Sequence, residues 1–243
     1  MKARGFLLAV LLLTLAGGAA TGQESRAQAR EHIRRGNEMY ARAEYASAIR
    51  EYERVPDDAG EAHAQSLYNI GVCYYELWRT EEAIAMYRRA FEASGGRYPK
   101  ALYALGVALE DSQRWPEARE AYRQALAASG GDYREAQLAV AHYRLGLLAL
   151  REGDYAGAET LFRETNARSQ RQFPASRNNL GVALARAGRL ELAAREFEAA
   201  LKQTRGTLGE AAHNLRLCRA ALAKGMKTES ASLKVVEKLA ANE

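Results

Sequence analysis

Apolar residues in this chain do not alternate with polar ones. They return every three or four positions, the period of one face of an α-helix. The pattern itself then repeats. Ala93-Ser94-Gly95-Gly96 comes back 35 residues later as Ala128-Ser129-Gly130-Gly131, and Leu105-Gly106-Val107-Ala108 comes back 75 later as Leu180-Gly181-Val182-Ala183. One frame holds both: Gly36, Gly71, Gly106, Gly146 and Gly181, spaced by 35, 35, 40 and 35 residues. Twelve positions after these glycines stand Ala48, Ala83, Ala118, Ala158 and Ala193. Sixteen positions after them stand Tyr52, Tyr87, Tyr122, Phe162 and Phe197. The residue before the glycine is Ile70, Leu105, Leu145 or Leu180, with Arg35 in the first copy. Five copies holding these positions together mark a repeat architecture.

Each copy predicts two short amphipathic helices joined by a tight turn. The first carries the glycine. The second starts near Ala43, Thr80, Gln113, Gly153 or Gly188 and carries the alanine and the aromatic. Glycine inside a helix costs roughly 1 kcal/mol relative to alanine, so its return in five copies implies a steric need. Small residues on facing stripes let helices approach closely, and the aromatic is expected to fill the gap against the next copy. A single pair buries too little apolar surface, so the copies must stack. Pro56 is expected to shorten the second helix of copy one, and the five extra residues before Gly146 to lengthen the first helix of copy four, from about Tyr133. Gly209 to Gly225 repeats only a first helix, with Asn214-Leu215-Arg216 in the frame of Asn179-Leu180-Gly181. Its Arg216, Arg219 and Lys224 suit a solvent-facing cap. In the tail, residues 226–243, Leu233, Val236, Leu239 and Ala240 fall at helical spacing. Docking back and staying mobile are both open for it.

Composition narrows the class. Only 4 prolines in 243 residues, with 8% aromatics, argue against disorder and against a turn-rich β-sandwich. The N-terminus reads as an address. Lys2 and Arg4 precede the apolar run Phe6 to Leu15 and the small residues Ala16 to Ala20, the pattern of a secretory signal peptide. Cleavage fits before Thr21 or before Gln23, so residues 1–22 are expected to leave a repeat domain over 23–225 and the tail. The alternative, a retained anchor, needs about 20 apolar residues, more than this run provides. Gly18 stands where a lipid-bearing cysteine would be needed. The expected location is periplasmic or secreted, with no membrane insertion after cleavage. Net charge is +5, and loss of Lys2 and Arg4 would leave +3, too little and too dispersed for nucleic acid. His32, His63, His142 and His213 are scattered, and no phosphate loop, zinc or calcium pattern occurs. Cys73 and Cys218 fall in equivalent buried slots four repeats apart, which disfavours a disulfide. No serine stands in register with a histidine–acid pair. The sequence therefore predicts no catalytic residues, no metal and no cofactor, and a binding protein rather than an enzyme.

Leu-Gly followed by Ala-x3-aromatic, from about residue 29 to 207, resembles the tetratricopeptide repeat family. The family's opening Trp is replaced here by His32, Leu67, Leu102, His142 and Arg177, and its closing Pro is absent. The resemblance implies an all-α, right-handed superhelical solenoid of about five helix-turn-helix repeats plus a C-terminal capping helix. It also implies a peptide ligand in the concave groove, on the stripe three residues before and one and four after each glycine. There the chain places Tyr68, Tyr103 and Tyr143 in one register, with Tyr40 and Tyr75 in another. Such rings are enriched at binding hot spots. Two residues before the frame glycine stand Asn69, Asn179 and Asn214, whose amides can pair with a ligand's backbone. Asn37, Asn69 and Lys100 match positions of the family's carboxylate clamp. Ile33 and Ala104 take the two positions that would need basic residues, leaving Arg34 as a neighbouring charge. The candidate ligand-binding residues are thus Asn37, Tyr40, Tyr68, Asn69, Tyr75, Lys100, Tyr103, Tyr143 and Asn179. A second reading of the tyrosines is open, in which they pack between helices and show only their hydroxyls. Glu110, Asp111, Arg144, Arg151 and Arg186 are expected to form a solvated rim. The partner is expected to be a protein or peptide, with the chain as scaffold. The alternative is a self-assembling or docking component of a cell-envelope complex, a homo-oligomer with its groove filled by its own tail.

Overall fold

The structure, a computed structural model, describes residues 25–129, 135–169, 173–225 and 232–237. The expected signal peptide, the position of Tyr133, and Leu239 and Ala240 of the tail lie outside the described residues. The described chain is all-α, with eleven α-helices and no strand. It divides into two compact units, one ending at Ala128 and the other beginning at Ser129.

The first unit holds three copies of the repeat. Helix α1 (25–41) is followed by α2 (Tyr45–Tyr52), a 3-10 turn (Asp57–Ala59), α3 (Glu61–Glu76), α4 (Thr80–Ala93), α5 (Pro99–Asp111) and α6 (Trp115–Ala128). The second unit holds two copies and the cap: α7 (Glu135–Glu152), α8 (Tyr155–Arg168), α9 (Pro174–Arg186), α10 (Leu190–Gln203) and α11 (Gly209–Lys224). Within each unit every helix packs on the next, so the pairs stack in chain order. Helix α2 has 8 residues where α4, α6, α8 and α10 have 14, as expected from Pro56. The inserted residues of copy four make α7 the longest helix, at 18 residues.

The second helices begin nine residues after the frame glycine in all five copies, two residues beyond the expected start except at Thr80. The reason is the turn. The residue seven after each glycine takes a left-handed φ: Ala43 at 59°, Trp78 at 59°, Gln113 at 58°, Gly153 and Gly188 at 80°. The N–H of the following residue then reaches back to close the first helix, as in Glu44 N to Met39 O at 3.0 Å and Arg114 N to Leu109 O at 2.8 Å. This is the Schellman closure, and it delays the next helix.

The core adds to expectation in one respect. The aromatic joins the core formed with the next copy, as Tyr52 does with Ile70 and Cys73, and it also lies on the glycine of its own copy. A Cβ on Gly106 would stand 2.5 Å from Tyr122 Cε1, and one on Gly181 would stand 2.6 Å from Phe197 Cε1. The other three pairs repeat the geometry. Each aromatic is therefore seated in a slot that only a missing side chain provides, and all five frame alanines beside it are fully buried. Cys73 and Cys218 are buried unpaired thiols, one in each unit, and burial pushes their pKa values up to about 12 and about 11.

Candidate functional site

Seven of the nine candidate residues lie in the first unit, on the face of its first helices. There they pair with one another and with neighbouring side chains. Tyr40 donates to Glu76 at 3.3 Å, and Tyr75 makes the same bond to Asp111 one repeat later. Asn37 Oδ1 accepts from Tyr52 at 2.8 Å and from the amide of Asn69 at 3.3 Å. Lys100 Nζ sits 4.7 Å above the ring of Tyr68, close enough for a cation–π contact. Tyr68 and Tyr103 are half-buried and tilt against the frame aromatics Tyr87 and Tyr122, with centroids 5.7 and 5.6 Å apart. Tyr68 also meets Tyr98 edge-on, with centroids 5.5 Å apart. Arg34 is committed to Glu31 and Glu38, and with Arg35 it holds the Glu31 carboxyl down to about 2. Ile33 is packed among Ala29, Val55 and Ala59. The expected rim is partly tied down, since Glu110 accepts from the buried Tyr122 at 2.8 Å.

The other two candidates, Tyr143 and Asn179, lie in the second unit, where the same face is occupied. Residues 232–237 run along it, and residues 233–237 carry no helix. The helical spacing of Leu233 and Val236 is therefore not the geometry they use. Asn214 accepts from Lys234 N at 2.8 Å and donates to Lys234 O at 2.8 Å. Asn179 repeats this on Val236, at 2.9 Å to N and 2.8 Å to O. One residue earlier in each frame, His213 Nε2 lies 3.0 Å from Ser232 O, Asn178 donates to Lys234 O at 3.0 Å, and Tyr143 donates to Val236 O. A carbonyl can only accept, so the His213 ring presents Nε2–H.

The register is regular. One repeat reads two tail residues, and the tail runs opposite to the repeat order. N–H and C=O groups of residues two apart point the same way only in an extended chain, so the seated segment has strand geometry. Leu233 enters the core cluster beside Val182, Leu215 and Cys218, with Val235 and Val236 packed at its edge. Glu237 reaches Arg151 at 4.0 Å. Asn178, Asn179 and Asn214 are fully buried and linked, with Asn214 donating to Asn178 at 2.9 Å and Asn178 to Asn179 at 3.1 Å. Tyr143 is also fully buried, its ring 5.0 Å from Phe173, so only its hydroxyl takes part in the site.

The sequence profile of the tetratricopeptide repeat family matches residues 26–97, 79–133, 103–172 and 143–207. The chain belongs to the tetratricopeptide repeat family. Solved structures of similar fold include pilF of Pseudomonas aeruginosa, at 19% identity and a TM-score of 0.62, over 88% of this chain and 90% of that one. Another is YrrB, described as a TPR protein with an unusual peptide-binding site, at 22% identity and 0.59, over 77% and 86%. MamA from Desulfovibrio magneticus RS-1 aligns at 16% identity and 0.59, over 75% and 98%. At these identities the likeness concerns the fold. No curated protein matches the chain.

In this tetratricopeptide repeat protein the site residues absent from the nine candidates are Asn178, His213 and Asn214, although the sequence had pointed to the Asn214 amide and to the tail as one possible occupant. The available signal was the run of polar side chains where the stripe is otherwise aromatic or aliphatic. Among the described residues no three metal-ligating side chains converge, and no helix is long and apolar enough to cross a membrane.

Proposed function

We propose that this protein is an exported scaffold that binds a segment of another protein on the faces of its first helices. One observation carries the reading: a length of polypeptide lies on that face in the second unit, held through its backbone amides by side chains spaced one repeat apart. A face that satisfies main-chain donors and acceptors of an extended chain is suited to protein segments rather than to small molecules. In the first unit the half-buried rings of Tyr68 and Tyr103, with Lys100 over Tyr68, supply the flat amphipathic surface of a hot spot. Export rests on the basic, apolar and small-residue order of residues 1–22.

The test is a paired capture from an envelope extract, with the parent and a Tyr68→Ala/Tyr103→Ala variant as baits, both checked as folded. Tyr143 is left intact because its ring is core. A partner held by the parent and lost by the variant supports the reading; equal capture by both removes it for the first unit. A second reading, self-assembly, draws on the seated tail, since a segment that fits its own groove also fits that of another copy. Mass rising with concentration in sedimentation would select it.

A further inference from the structure

Resting on the reading of the first-helix face as a peptide site, we propose that the asparagine face of the second unit binds an extended partner segment of pattern apolar–x–apolar–apolar–acidic, and that residues 232–237 are its tethered competitor. The argument starts from what the face recognises. Asn179 and Asn214 each spend both amide atoms on one N–H and one C=O of the tail. These bonds are indifferent to side-chain identity, so they select an extended backbone and nothing more. Sequence is read at the flanks. Leu233 is buried in the core cluster, Val235 and Val236 pack at its edge, Lys234 is exposed, and Glu237 faces Arg151.

The burial of the asparagines explains why the face must be filled. Buried amides without partners are costly, and these three are satisfied largely by the tail. An element meant only to close the core would be met by apolar side chains. A ladder of amides at the repeat spacing instead accepts any segment that offers an extended main chain and the right apolar anchor. The tail is joined to the Gly225 end of α11 through only residues 226–231, and a short tether holds its end at an effective concentration of order millimolar. With an intrinsic Kd of the tail segment on the order of 10 micromolar, any partner segment would then appear about 100-fold weaker until the tail is displaced.

The probe is a fluorescent peptide with the sequence of residues 231–238, titrated by anisotropy against the purified full chain and against a Leu233→Asp/Val236→Asp chain. We expect binding to the substituted chain to be about 100-fold tighter than to the parent. It should be lost when Asn179→Ala/Asn214→Ala is added, and lost when the peptide's own leucine is replaced by Asp. Replacing the peptide's first lysine by Ala should leave it intact. Val236→Pro deletes the N–H that Asn179 accepts without burying a charge, and provides the same comparison if the double substitution lowers helix content. Equal binding to parent and tail-detached chains overturns the competitor. No binding to a folded, tail-detached chain overturns the site. Neither result touches partner capture through Tyr68 and Tyr103, so the scaffold reading stands or falls separately.

Discussion

At the scale of single residues, the frame glycines act by absence. Helix propensity alone favours alanine by roughly 1 kcal/mol at each of them. Packing opposes this, because the Cβ would stand 2.5 Å from a Tyr122 ring that is fully buried and anchored through its hydroxyl to Glu110. The ring has nowhere to move. Gly106→Ala should therefore lower stability by about 1–3 kcal/mol, seen as a lower denaturant midpoint. A midpoint at or above the parent's would show that the slot yields. The turn residues give the opposite case. Trp78 holds a φ of 59° while its side chain is 91% exposed, so it bears left-handed strain with little packing in return. Trp78→Gly should raise stability on the order of 0.5–1 kcal/mol in thermal unfolding.

At the scale of elements, the segment packed on a helix matters as much as the helix's own pattern. Helix α11 has the sequence of an outer cap, and Arg216, Arg219 and Lys224 are exposed on it as a cap requires. Its other side nonetheless carries Asn214, Leu215 and Cys218 against the tail. The tail's apolar spacing suits a helix, but a helix would spend its backbone bonds internally and leave the three buried asparagines with only their bonds to one another and to Tyr143. The strand-like path satisfies both sets of groups, which is why it prevails. Amide exchange reads this directly. The N–H groups of Lys234 and Val236 should exchange slowly in the parent, and at rates close to those of an unstructured peptide in Asn179→Ala/Asn214→Ala. Fast exchange in the parent would remove the seated tail.

At the scale of the whole chain, the main helix contacts among the described residues run between elements adjacent in sequence within each unit, so stability is local and the two units can be followed separately. Cys73 reports on the first and Cys218 on the second, since both thiols are fully buried. Both should label only through opening of their own unit, and the tail-detached chain should speed labelling at Cys218 while leaving Cys73 unchanged. Titration adds a second test. Burial raises Cys73 and Tyr98 to about 12 and Cys218 to about 11, from ordinary values near 9 and 10. A raised pKa means that the folded state keeps the proton longer. The contribution is therefore intact below about pH 9 and lost as pH climbs towards 12. The denaturant midpoint should hold level from pH 7 to 9 and fall steeply above it; a fall that begins near neutrality would contradict the buried assignments.

Much of this architecture was legible in the residues themselves. The glycine, alanine and aromatic frame sets helix number, pairing and order because those features derive from local periodicity and close packing between sequence neighbours. Pro56 and the insertion before Gly146 predicted one short and one long helix for equally local reasons. Four of the five second helices were started two residues early: at Ala43 and Gln113 a left-handed φ leaves no mark in residue type, and Gly153 and Gly188 were read as helix starts rather than as the turn itself. The aromatic's packing toward the next repeat was foreseen, but its seat on its own glycine was not, because only three-dimensional distance shows that one ring meets both. An occupied face was one of the alternatives the sequence left open, but the sequence could not select it or give its register. Pairing Asn179 with Val236 and Asn214 with Lys234 joins residues 57 and 20 positions apart, and a bond between an amide side chain and a main chain has no sequence complement to betray it.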